Sequence, residues 1–154
     1  MCKFLSAIVK RDGKVVYHPV TDSHEDLVAF CGLSDKGLDY FVRVEYTSDN
    51  LHDLSTYKLR VDEESTPEWF EDHREMVVKY LSDKLKGMLI TGRREILLGG
   101  VWIIDGGEVG MLKGGRVVIL RNSTVREVLA GGTVQKVWAG GKIVDDRREK
   151  GGSK

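Results

Sequence analysis

The stretch GGVWIIDGGEVGMLKGGRVVILRNSTVREVLAGGTVQKVWAGGKIVDD, residues 99–146, decides the fold. Small-residue pairs stand at Gly99-Gly100, Gly106-Gly107, Gly114-Gly115, Asn122-Ser123, Gly131-Gly132 and Gly140-Gly141. Two residues beyond each pair comes an apolar side chain: Trp102, Val109, Val117, Val125, Val134 and Ile143. In the middle copies another follows three residues later, at Leu112, Leu120, Val128 and Val137. Six copies in register make an internal repeat of short strands, with corners where glycine reaches positive φ at no steric cost.

Two architectures produce this pattern. In an antiparallel meander each pair is a hairpin turn, which sets Asp105 opposite Glu108 and Lys113 opposite Arg116, like charge facing like. In a β-solenoid each copy is one side of a coil, and the recurring apolar residue forms an inward ladder. The shared register of all copies favours the solenoid. The last copy leaves a strand edge, which either the charged run Asp145–Lys150 shields or another subunit pairs with.

Outward from the repeat, residues 1–92 read as a separate α+β domain. Residues 3–9 and 14–18 are apolar runs joined by Arg11-Asp12-Gly13, the signature of a tight hairpin. Ser23 followed by Glu25 and Asp26 opens a short helix that Gly32 closes. Alternation through Tyr40, Val42, Val44 and Tyr46, with Arg43 and Glu45 on the other side, predicts a half-buried strand; residues 56–61 predict another. Thr66-Pro67-Glu68 opens the main helix, whose stripe of Trp69, Phe70, Met76, Val77, Tyr80, Leu81 and Leu85 packs on the sheet until Gly87. The expected plan is a small antiparallel sheet with one main packing helix at 1–92, repetitive β structure at 93–146, and a charged flexible tail at 147–154.

The chain of 154 residues has no net charge, but the charge is split. Residues 1–90 carry 12 basic and 17 acidic side chains, and residues 91–154 carry 12 and 7. No apolar run approaches a membrane span, so no membrane role is expected, and a cytoplasmic setting is. Two cysteines, Cys2 and Cys31, give no disulfide framework.

Catalytic signals are sparse. If Met1 is removed, Cys2 becomes an N-terminal thiol whose own amine can serve as base, with His18 and His24 as candidates to assist. The competing reading makes Cys2 a small apolar residue of an edge strand. His52-Asp53 is a possible base with an orienting acid, and His73 lies among apolar helix residues. No Cys-x-x-Cys or His-x₃-His pair occurs, so neither metal nor cofactor is expected. The glycine pairs lead into strands, which excludes a phosphate-binding loop. Arg116, Arg121, Arg126, Lys136 and Lys142 are a candidate binding strip for phosphates, although aromatic interleaving is poor and a solvated face is the plainer reading.

The opening Met1-Cys2-Lys3-Phe4-Leu5-Ser6-Ala7-Ile8, the helix start Ser23-His24-Glu25-Asp26-Leu27 and the glycine-paired tail together resemble uncharacterised bacteriophage and prophage proteins. Those have a short N-terminal α+β domain followed by octapeptide- or pentapeptide-like repeats. The resemblance implies phage association, in host cytoplasm or virion, and no catalytic residue. The expected function is a non-enzymatic binding or assembly protein that associates with itself, or with another protein, through the repeat. A small cysteine-dependent hydrolase or transferase using Cys2, and a weak nucleic-acid binder, are the alternatives.

Overall fold

The computed structural model describes residues 3–19 and 21–148. The chain divides into two compact units that meet between Lys86 and Gly87. Among the described residues no helix is long and apolar enough to cross a membrane.

The first unit carries an antiparallel sheet of β1 (Ser6–Lys10), β2 (Val15–Val16), β3 (Phe41–Thr47) and β4 (Lys58–Val61), in the order β2-β1-β3-β4. The β1–β2 turn forms because Gly13 takes φ 91° while Asp12 accepts from the Lys14 amide. Helix α1 (His24–Phe30) starts at Ser23, whose hydroxyl accepts from the Asp26 amide at 3.2 Å. Leu27 and Val28 of α1 pack with Ile8 and Phe41, so this helix covers one face of the sheet. The sequence pattern predicts β3 as half-buried with Glu45 facing water. In the structure Glu45 is 0 % exposed, because the chain before β1 and Arg60 of β4 close over its carboxylate.

Helices α2 (Glu68–Glu71) and α3 (Arg74–Met88) replace the single main helix expected from Thr66 onward. Pro67, not Thr66, stands at the cap, and the helix breaks at Asp72-His73, where the His73 ring reaches the Arg11 carbonyl at 3.1 Å. Val77, Leu81 and Leu85 are buried at helical spacing. Gly87 is helical and does not end α3; the chain passes directly into a strand at Leu89.

The second unit is a β-solenoid of about four turns. One parallel sheet contains β5 (Leu89–Ile90), β7 (Val101–Asp105), β9 (Arg116–Arg121) and, both alongside β9, β11 (Thr133–Val134) and β12 (Val137–Trp138). The other contains β6 (Arg93–Leu98), β8 (Glu108–Lys113), β10 (Thr124–Val128) and β13 (Lys142–Asp146). Each glycine-paired copy is therefore half a coil, and alternate copies stack. Trp102, Val117 and Val134 form one ladder and Val109, Val125 and Ile143 another. Ile90, Ile104 and Leu120, and Leu97, Leu112 and Val128, complete the apolar interior.

The two acids that would oppose each other in a meander are paired between coils instead. Asp105 meets Arg121 at 3.1 Å, and Glu108 meets Arg93 and Arg126. Gly115 shows why a corner must be glycine: φ is +77° and an added Cβ would lie 2.4 Å from the Gly99 carbonyl oxygen. At the one corner without glycine, Asn122 adopts φ 47° and the Ser123 hydroxyl accepts from the Gly107 amide at 2.8 Å.

Candidate functional site

The structure separates most of the residues that the sequence singles out. Cys2 lies outside the described residues, as do residues 149–154 of the expected tail. His18 is exposed and sits edge-on to Phe30 at the C-terminal end of α1, whereas His24 is buried at the opposite end. His18 thus stands beside the last residue of α1, while His24 is its first. Cys31 is half-buried against the α1 core. Asp53 caps the turn Leu54–Thr56: its carboxylate accepts from the Ser55 hydroxyl, which holds it below its ordinary value. His73 is a boundary residue against the β1–β2 turn.

The basic residues do not form a common strip. Arg116 and Arg121 stand at opposite ends of β9, Arg126 and Lys142 belong to the other sheet, and Lys136 lies between β11 and β12. Arg116 is buried; Arg121 and Arg126 are engaged by Asp105 and Glu108. Lys136 and Arg121 lie over the Trp138 ring, at 5.3 and 5.8 Å from its centroid.

Two arrangements remain as sites. The first is the last coil. Among the described residues β13 pairs with β10 alone, and β11 and β12 pair with β9 alone, so this coil presents strand edges. It also exposes apolar surface at Val137, Trp138 and Val144, the last of them 57 % exposed. Ile143 still packs on the interior, but the ladder of Leu97, Leu112 and Val128 ends on Asp146. Arg147 and Arg148 turn back onto Asp145 and Asp146, and the Arg148 guanidinium holds the Asp146 carboxyl at about 2.

The second is a polar cluster in the first unit, made by His24 at the start of α1, Glu45 in β3, and Arg60 and Asp62 at the end of β4. His24 Nε2 lies 2.8 Å from the Val44 carbonyl oxygen and Nδ1 lies 3.3 Å from Asp62 Oδ2. Glu45 accepts from the Lys3 amide at 2.8 Å and from the Arg60 guanidinium. That bond and the carboxylate charge raise Arg60 above its ordinary value. The donor atoms of His24, Glu45 and Asp62 all lie within 4.8 Å of one another. Sequence spacing gave no sign of this group, because its members come from three elements and Glu45 reads as a surface residue. In comparisons with known proteins, no family model, no curated protein and no solved structure matches the chain.

Proposed function

We propose that this chain is a non-enzymatic binding and assembly protein that associates with a second copy of itself through its last coil. The phage association rests on the sequence resemblance alone. The observation that carries the self-association is the edge strand β13, Lys142-Ile143-Val144-Asp145-Asp146, whose exposed residues are Lys142, Val144 and Asp146. Paired antiparallel to its own copy and centred on Val144, it sets Lys142 opposite Asp146 of the second copy, twice over, and Val144 opposite Val144. Centring on Asp145 instead would oppose two aspartates. Isologous pairing of this kind is the commonest closed arrangement for a homo-oligomer, and it hides an edge that is otherwise an aggregation hazard.

The test is light scattering across a concentration series, with charge-reversed variants. Lys142→Asp puts like charges opposite each other and weakens the dimer by roughly ten-fold, since opposed pairs each shift pairing by ~0.2–1 kcal/mol. Lys142→Asp combined with Asp146→Lys restores the dimer, because each new lysine meets a new aspartate. A monomer at all concentrations, an open-ended polymer, or a double variant no better than the single one overturns the proposal.

A further inference from the structure

The polar cluster of the first unit gathers one ring nitrogen and two carboxylates. The Val44 carbonyl can only accept, so His24 Nε2 carries the proton of that 2.8 Å bond, and Nδ1 faces Asp62 Oδ2 at 3.3 Å. Arg60 stands beside both acids, bonded to Glu45 and 3.7 Å from Asp62.

We propose that His24 Nδ1, Asp62 and Glu45 bind one divalent transition-metal ion of the zinc type, in exchange with the Arg60 guanidinium. Three observations converge on it. Adjacent ligands of a tetrahedral ion with bonds of ~2.0–2.1 Å lie about 3.3 Å apart, and the Nδ1 to Oδ2 separation matches that edge. A metal-binding histidine ordinarily donates its other ring proton to a carbonyl or carboxylate, as His24 does to Val44. Glu45 is wholly buried, and its neutralising partner Arg60 has a side chain 58 % exposed, free to swing into water when a better cation arrives. One nitrogen and two carboxylates suit Zn²⁺, Co²⁺ or Mn²⁺ rather than a soft thiophilic ion.

The experiment uses the full chain after chelation and dialysis. Titration with Co²⁺ is expected to give the visible ligand-field band of a tetrahedral site at one ion per chain, and Zn²⁺ to bleach it by displacement. Arg60→Gln removes the competing cation, so it binds Co²⁺ several-fold more tightly. Without metal this variant melts lower than wild type, because the Glu45 charge is stranded, and Zn²⁺ recovers the loss. Asp62→Asn, at a partly exposed position, weakens the band at least ten-fold; His24→Gln abolishes it. No band in wild type and none in Arg60→Gln overturns the proposal, leaving the His24–Asp62 contact a structural one. A band that persists in both Asp62→Asn and His24→Gln overturns it equally, by placing the ion elsewhere.

Discussion

At the corners of the solenoid, single atoms decide stability. Gly99 and Gly115 both have positive φ, but a Cβ at Gly99 meets nothing within 4 Å, whereas one at Gly115 would overlap the Gly99 carbonyl. Gly99→Ala therefore costs only the left-handed backbone strain, about 1–2 kcal/mol. Gly115→Ala adds the steric clash and costs about 3 kcal/mol or more. Urea unfolding of the two variants separates these contributions, and equal losses would contradict the stacking distance between coils. In the first unit Tyr57 is buried and donates to the Leu51 carbonyl at 2.7 Å; burial, aided by Tyr46, pushes its phenol well above its ordinary value of 10.0. A group raised in the folded state contributes stability below its unfolded pKa and loses it as pH rises past that value. Melting temperature should therefore fall above pH ~10. Tyr57→Phe should lose ~1 kcal/mol at neutral pH from the missing hydrogen bond but show a flatter decline between pH 10 and 11. Parallel curves would rule Tyr57 out as the source.

At the scale of elements, the stacked ladders hold the solenoid together, since each strand gains its apolar neighbours from the coil above and below. Leu112 is fully buried between Leu97 and Val128, and Leu112→Ala should cost ~2–5 kcal/mol by cavity formation. Ile96, in the same sheet but 55 % exposed, should change by less than ~0.5 kcal/mol on substitution by Ala. Chemical denaturation checks both, and a large loss at Ile96 would mean that its outer face is covered in solution. The ladders were legible in the sequence because one side of a coil is short enough for its whole pattern to repeat locally. The like charges that a meander opposes, Asp105 and Glu108, argued for stacking from the sequence, but their basic partners in neighbouring coils emerged only with the structure. Helix boundaries were less legible: the break at Asp72-His73 answers a contact with Arg11, distant in sequence, and Gly87 stays helical with an extended strand directly after it. The polar cluster was invisible for the same reason. Alternation in β3 assigns Glu45 to water, and only the register that sets Arg60 beside it, with His24 arriving on α1, turns the position inward.

For the whole molecule, the consequence of a solenoid is that its growth must be stopped or used. Coils stack by the same parallel pairing at every step, so among the described residues the last one presents strand edges, as β5 and β6 do at the other end of the two sheets. In this chain the last coil combines exposed apolar side chains with an edge strand whose charges complement their own reversal. Val144 gives the sharpest test, because it is 57 % exposed and stands at the proposed two-fold axis. Val144→Lys leaves the isolated chain's stability within ~0.5 kcal/mol of wild type, yet it places two ammonium groups opposite each other in the dimer. Melting temperature of the wild type should then rise with protein concentration, as mass action requires when only the folded chain associates. The Val144→Lys variant should melt at the dilute wild-type temperature at every concentration. Added salt screens the new repulsion and should partly restore the concentration dependence, while weakening the Lys142–Asp146 pairs of the wild type. A variant that still melts higher when concentrated would mean that association uses another surface, and the self-complementarity of β13 would then have no part in assembly.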